Sequence, residues 1–307
     1  MLISWYNRRH MKVGTVALIG RPNTGKSTLV NNLVGHKVAI TSPKPQTTQF
    51  PIYAVYEDTE AGNGVGMQVI FVDTPGIFAK NKDASRKGVN LEAEKVLHDE
   101  VDAILYIVDH TRQRGSEENR VLGILRKLKI PKILVINKID LKEPDYSAQY
   151  KFMEDEFDTV LQVSALKPMN LGAITAELFE ILPEGEALFD KSELSIPALN
   201  VSPTLHMEEL IREKVFLTLR KEVPYHVKVV VDEITERPAK QSRGKKSGDK
   251  VGLLYVRARI LTEHRYKKMI IGANAQRIKQ IGSMTRRELE LSTGKKFYLE
   301  LTVEIEK

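Results

Sequence analysis

Eight residues near the start of the chain, Gly20-Arg21-Pro22-Asn23-Thr24-Gly25-Lys26-Ser27, fit the spacing G-x-x-x-x-G-K-[ST]. Glycines at the two framing positions free the backbone to curl until successive N–H groups point at one anion. Lys26 can then reach the β- and γ-phosphates of a nucleotide, and the Ser27 hydroxyl is a hard oxygen ligand suited to Mg²⁺. An apolar run at 16–19 leads into the loop as a strand. The amphipathic segment from Lys26 leaves it as a helix, whose positive dipole end faces the same anion.

Further short motifs follow in order, each at the end of an apolar run. Asp73-Thr74-Pro75-Gly76 puts a carboxylate where Mg²⁺ is held through water, and the Gly76 amide within reach of a γ-phosphate. Upstream, the polar, proline-containing stretch 38–49 carries adjacent Thr47 and Thr48; downstream of a phosphate loop it is a candidate switch segment, with one hydroxyl or backbone group reporting on the γ-phosphate and Mg²⁺, and an ordinary loop is the alternative reading. Asn137-Lys138-Ile139-Asp140 makes the site base-specific. Asp140 can accept from the N1–H and exocyclic amine of guanine together, and Asn137 can bond its O6/N7 edge. Adenine would leave the carboxylate unmatched. Ser164-Ala165-Leu166 offers backbone N–H groups to guanine O6. After Gly76 stands Ile77, a hydrocarbon where many related sites carry a glutamine to orient water.

These motifs need a scaffold. Strands are expected at 52–56 and 67–72, paired as a hairpin around the glycine-rich tip 62–66, and then at 103–108, 132–136 and 160–163. Helices are expected at 27–33, closed by Gly35, at 91–101, at 116–129 with Ser116 as N-cap, and at 170–182, stopped by Pro183. The fold class is α/β: a P-loop nucleotide domain with a mostly parallel sheet. Its expected extent is 1–186, with 1–12 a disordered tail and 187–206 a linker. The second unit, 207–307, reads as helix 207–223, strands 225–234 and 251–261, a helix through MIIGANAQRIKQIG, another at 285–291, and a closing strand at 297–305.

The chain of 307 residues has 42% hydrophobic content, enough for two cores, and no apolar run near the ~18 residues a membrane span requires. It contains no cysteine, which excludes disulfides, thiolate metal sites and cysteine nucleophiles. Net charge is +7, unevenly spread: residues 237–307 hold 18 Lys+Arg against 7 Asp+Glu, a net of +11 that leaves −4 for the rest. The C-terminal part is built to meet a polyanion, and 237–250 is a Lys/Arg/Gly/Ser-rich insert. An anionic lipid surface is the other polyanion such a region could meet, which makes peripheral association with the inner face of the cell membrane a secondary expectation for a cytoplasmic, monomeric protein.

The element order α-β-β-α-α-β, with a short glycine-containing loop between helices, resembles a type II KH domain. In such domains the loop clamps single-stranded RNA backbone and an apolar groove beside it receives the bases. From about Val13 the whole chain resembles the Era family of bacterial GTPases, on GRPNTGKS, KPQTTQ, DTPGI, NKID and SAL in order, then IREKVFLTLRKEVPYHV and IIGANAQRIKQIG. That resemblance implies a GTP-versus-GDP switch, with Mg²⁺, that controls access of the KH domain to the 3′ region of small-subunit ribosomal RNA during assembly of the 30S subunit. An RNA chaperone in which the nucleotide is a structural ligand is the alternative. The implied GTP residues are Gly20, Asn23, Thr24, Gly25, Lys26, Ser27, Thr28, Asp73, Gly76, Asn137, Lys138, Asp140, Ser164, Ala165 and Leu166. Catalysis falls to Lys26, Thr48, Gly76 and Asn23, with Mg²⁺ on Ser27, Thr48 and Asp73 and a K⁺ beside Asn23. RNA contacts fall to Ile271, Gly272, Ala273, Asn274, Ala275, Arg277 and Lys279. Two positions depart from the family: Gln49, where arginine is usual, and Gly272-Ala273-Asn274-Ala275, where Gly-x-x-Gly with a lysine is usual.

Overall fold

A computed structural model describes residues 10–39, 41, 51–74, 101–189, 194, 196–199, 201–219, 222–237 and 253–306. The chain divides into two compact units, Met1–Val201 and Ser202–Lys307.

The first unit is built on β1 (His10–Ile19), β2 (Ile52–Asp58), β3 (Met67–Asp73), β4 (Ala103–Asp109), β5 (Lys132–Asn137), β6 (Thr159–Gln162) and β7 (Glu184–Glu186). The sheet runs β2-β3-β1-β4-β5-β6, with β7 joined to the start of β1. The pairs β3-β1, β1-β4, β4-β5 and β5-β6 are parallel, while β2 returns antiparallel to β3 as the expected hairpin. Strands buried on both faces must be apolar at successive positions, and β1 shows this directly. Val16 and Leu18 enter one core with α1 (Lys26–Val34) and α3 (Leu171–Ile181), whereas Ala17 and Ile19 enter a second with α2 (Ser116–Leu125) and the 3₁₀ segment Ser147–Glu156. This arrangement brings the C-terminal ends of β1, β3, β4 and β5 to one edge, where the motifs sit. The order reverses about β1, the usual position of a ligand crevice in such sheets.

Three expectations need correction here. Residues 10–12 are not part of a tail: His10, Met11 and Lys12 pair with Glu186, Gly185 and Glu184, and Met11 is buried. Part of the 187–206 linker belongs to the first unit, since Val55 N–H donates to Pro197 O at 2.8 Å and Leu199 N–H to Tyr53 O at 2.8 Å. Ile196, Ala198 and Val201 complete the core there, covering the edge strand β2. Ser116 is the first helical residue of α2 rather than its cap. Gly115 takes the cap position, and its N–H donates to Glu118 Oε2 at 2.9 Å. The helix expected at 91–101 lies outside the described residues apart from its last position.

In the second unit α4 (Pro203–Thr218) precedes β8 (Val227–Arg237), β9 (Leu253–Thr262), α5 (His264–Ile271), α6 (Gln276–Thr293) and β10 (Lys296–Ile305). The sheet order is β10-β9-β8, with β8 antiparallel and β10 parallel to β9. Helix α4 starts four residues before the expected position, because Ser202 Oγ accepts from Leu205 N–H at 3.1 Å and Pro203 occupies the first turn. It ends at Thr218, with Leu219 already extended, so it does not reach residue 223. The expected pair of helices at 269–282 and 285–291 is also redrawn. The first breaks at Gly272, and α6 then runs unbroken through Gly282. Glycine inside a helix costs only about 1 kcal/mol, which burial of Ile281, Thr285 and Leu289 on one face can offset.

Candidate functional site

The phosphate loop connects β1 to α1. Gly25, the helix N-cap, has φ 101°, and a Cβ there would come within 2.3 Å of Asn137 Nδ2. Both its backbone conformation and its neighbour therefore require glycine. Lys26 is almost wholly buried, and its Nζ donates to Gly20 O at 2.9 Å and Arg21 O at 3.0 Å. Burial lowers its pKa to about 8, against the pull of Asp73 in the other direction.

Ser27 Oγ donates to Asp73 Oδ2 at 2.6 Å. Asp73 is fully buried at the end of β3, and its Oδ1 has no hydrogen-bond partner among the described residues. Burial raises its pKa, with Lys26 and Ser27 opposing. A buried carboxylate oxygen left without a partner, beside a hydroxyl and at the mouth of a phosphate loop, suits a hard divalent cation. Ser27 and Asp73 would hold Mg²⁺, which when bound supplies charge neutralisation at the phosphate oxygens. Ser27→Ala is expected to remove about tenfold or more of the Mg²⁺-dependent gain in GTP affinity. Titrations of both proteins with and without Mg²⁺ check this, and equal gains would refute the assignment.

The loop is braced from two sides by contacts that motif spacing does not announce. Arg21 donates from Nε to Glu117 at 2.8 Å and from Nη1 to Glu118 at 2.5 Å, and Glu118 is buried. The first turn of α2 thus anchors the residue whose carbonyl receives both Lys26 and the Thr24 hydroxyl. On the other side Asn137 Nδ2 donates to Thr24 O at 2.7 Å, while its Oδ1 accepts from Lys138 N–H at 2.8 Å and Ala165 N–H at 2.9 Å. Asn137 therefore ties the phosphate loop to the base end of the site, with one amide hydrogen left for a base edge.

At that base end Asp140 Oδ1 accepts from Ser164 Oγ at 2.7 Å, which leaves Oδ2 for a base. Lys138 has φ 71°, and its Nζ donates to the buried Asp109 at 2.5 Å. The Ser164 amide donates to Met169 O at 3.2 Å and the Ala165 amide to Asn137, so two of the three amides expected at O6 already have partners in the protein. Leu166 is 72% exposed. Asn32 on α1 completes the scaffold by donating to Ala165 O at 2.7 Å.

Gly20, Thr24, Gly25, Lys26, Ser27, Thr28, Asp73, Asn137, Asp140 and Ser164 thus lie on the loops and helix start at one sheet edge. Asn23, with φ 66°, is on the same loop. Thr48, Gly76 and Ile77 lie outside the described residues, as do Thr47, Gln49 and most of the basic insert. Sequence reasoning missed Arg21, Glu117, Glu118 and Asp109 as supports of the site.

In the second unit Ile271 ends α5 and Gly272 turns the chain with φ 73°. Asn274 and Ala275 follow at φ 49° and 58° before α6 begins. Arg277 packs against Gly272, where a Cβ would meet its Cγ at 2.8 Å, and donates from Nη1 to Met269 O at 2.8 Å. Lys279 is exposed on α6.

Comparison with known proteins matches residues 15–138 to a family described as "50S ribosome-binding GTPase" and residues 222–307 to the KH domain. Over 301 residues, 96% of this chain, it is 37% identical to GTPase Era of Halothermothrix orenii, of which the match covers 94%. The chain belongs to the Era family of GTPases. GTPase Era of Aquifex aeolicus is 36% identical over 96% of this chain and 94% of its own length. A crystal structure of a variant of that Era bound to GDP·AlF4⁻ superposes with a TM-score of 0.82 at 35% identity, covering 96% of this chain and 94% of the other. An Era in complex with MgGDPNP and nucleotides 1506–1542 of 16S ribosomal RNA gives 0.81 at 36% identity, over 97% and 94%. As an Era-family member this chain is a Mg²⁺-dependent GTP-hydrolysing enzyme joined to a KH domain.

Ala275 is held in the left-handed region, at φ 58°, which costs an L-residue about 1 kcal/mol. Ala275→Gly is expected to raise stability by up to about that amount. A higher denaturant midpoint with unchanged slope checks it, and a lower midpoint would show that the methyl contributes packing.

Proposed function

We propose that this chain is a GTP-operated switch that binds the 3′ region of small-subunit ribosomal RNA and assists 30S assembly. One observation carries the reading: the full-length likeness to an Era that holds MgGDPNP and 16S nucleotides together. The family description that names the 50S subunit covers only the nucleotide half, a part shared by many GTPases, and so bears less on the RNA partner. The division of labour follows the two units, with GTP in the first and RNA on the 272–275 loop of the second.

The proposal extends to a K⁺ held beside Asn23. A monovalent cation there would stabilise charge developing on the phosphates without adding a base, which suits a site whose residue after Gly76 is Ile77. Turnover measured in K⁺ and in Na⁺, with and without small subunits, tests both parts. Stimulation by subunits supports the switch, and faster turnover in K⁺ that Asn23→Ala abolishes supports the cation site. Absence of stimulation under every condition would favour the chaperone reading. We also place the chain in the cytoplasm as a monomer, with contact to anionic membrane a secondary property of its basic C-terminal part. No described helix is long and apolar enough to cross a membrane. Vesicle flotation and sizing by light scattering check these two points.

A further inference from the structure

Strand β4 ends at Asp109 and His110 follows it; both side chains are buried, and both turn onto one residue of the base loop. Asp109 takes the Lys138 ammonium at 2.5 Å. His110 Nε2 lies 3.0 Å from Lys138 O, and since a carbonyl only accepts, that nitrogen carries the hydrogen. The Lys138 N–H donates to Asn137 Oδ1 at 2.8 Å. Lys138 is therefore gripped at its amide, its carbonyl and its side chain, in a left-handed conformation, φ 71°, that an L-residue does not hold unaided.

The carbonyl that His110 holds also closes the turn that carries Asp140. Leu141 N–H donates to Lys138 O at 2.9 Å, so Lys138 to Leu141 form a β-turn with Asp140 as its third residue. That bond sets the shape of the turn and ties it to nothing outside. On one flank Ile139 N–H donates to Val163 O at 3.2 Å. On the other, His110 and Asp109 join the turn to β4, a central strand buried along its whole length. The far side of the imidazole is pinned as well. Its Nδ1 lies 3.2 Å from Asp145 Oδ1, which also accepts from Ser147 N–H at 2.8 Å, and Tyr146 N–H donates to His110 O at 2.8 Å.

We propose that His110 is a positioning residue for guanine recognition: through Lys138 O it fixes the turn that aims the Asp140 carboxylate at the N1–H and exocyclic amine of the base. The inference rests on the assignment of Asp140 to the base. Acceptance from two adjacent donors depends on direction as well as distance, and a displacement of about half an ångström weakens both bonds. A turn released from β4 would keep its internal bond and lose its aim. Asp109 does not substitute for His110, because it holds the far end of a flexible four-carbon stem, which restrains the backbone little. The loss should therefore fall on the contact between Asp140 and the base amine, while the phosphates stay with the 20–27 loop.

Amide side chains separate the two ring bonds. Glutamine places its amide nitrogen where Nε2 stands and can donate to Lys138 O, whereas asparagine places its own where Nδ1 stands and reaches only Asp145. Phenylalanine keeps a ring and loses both bonds. Affinities of the full chain with Mg²⁺ are measured for GDP and for inosine diphosphate, which lacks the exocyclic amine, in the parent and in His110→Gln, His110→Asn and His110→Phe. The asparagine and phenylalanine variants are expected to cut the preference for GDP about tenfold, and the glutamine variant to stay within about twofold of the parent. A merely structural role would weaken both nucleotides alike and leave the ratio unmoved. Equal ratios in the parent and all variants, or a glutamine variant no better than the asparagine one, would overturn the inference. If His110→Phe does not fold, the glutamine and asparagine pair decides the matter alone. Asp140→Asn in the same titrations distinguishes the two levels. A preference for GDP that survives it overturns the base assignment, while a preference lost there but unmoved in the His110 variants overturns only the role of His110.

Discussion

Asp140→Asn is expected to weaken GTP binding by about a hundredfold or more while improving binding of xanthosine triphosphate. A carboxylate accepts from the guanine N1–H and the exocyclic amine together. An asparagine amide presents its own N–H₂ to that amine, so one good contact becomes a clash of donors. Xanthine carries a carbonyl in place of the amine, which accepts from the new amide. The geometry favours a clean exchange, because Asp140 Oδ1 is fixed by Ser164 Oγ at 2.7 Å and the asparagine oxygen can keep that bond. Competitive titration with both nucleotides reads the outcome. Unchanged preference for guanine would show that the base lies elsewhere.

The parts of this site legible in the sequence are those whose chemistry is local. Gly20 to Ser27 spans one turn of backbone, and its strand and helix neighbours are written on either side. Asp73, Asn137 and Ser164 each end an apolar run, so their placement at one sheet edge follows once the strands are parallel. What the sequence hid depends on distant partners. Strand β7, Glu184–Glu186, has no strand signal of its own and exists because His10 to Lys12 offer an edge. The Arg21 anchor joins residues nearly a hundred positions apart, and neither a loop arginine nor two helix-start glutamates proclaims the pair.

Asn137 shows a third kind of gap. Its residue type pointed to the base, yet its described bonds run to Thr24, Lys138 and Ala165. The same side chain that could touch guanine also holds the phosphate loop to the base loop, and the two duties share one amide. The second unit repeats the lesson with α6. Gly282 looked like a helix end, but packing of Ile281, Thr285 and Leu289 carries the helix past it.

Affinity for GTP is expected to fall about tenfold between pH 7 and pH 9, and Lys26 is the reason. Burial of its ammonium brings the pKa from 10.5 down to about 8 in the nucleotide-free chain. Phosphate oxygens favour the charged form and raise that pKa again, so binding above pH 8 must take up a proton. Lys26→Ala should bind about a hundredfold more weakly at pH 7, having lost a buried charge-assisted contact, and its affinity should show no inflection near pH 8. An inflection that survives in the variant would assign the titration to another group. Stability of the nucleotide-free chain carries the same signature with the sign worked through. Below pH 8 folded and unfolded chains both hold the proton, and the burial penalty, of order 3 kcal/mol for that shift, is present in full. Between about pH 8 and 10.5 only the unfolded chain binds the proton, so the Lys26 contribution to stability rises with pH until the penalty is gone. Asp73 is displaced the opposite way by the same cause, since burial favours its neutral form. Each group is thus held at a cost without nucleotide. Phosphate supplies what Lys26 needs and Mg²⁺ what Asp73 Oδ1 lacks, so Mg²⁺ and GTP should each strengthen the binding of the other.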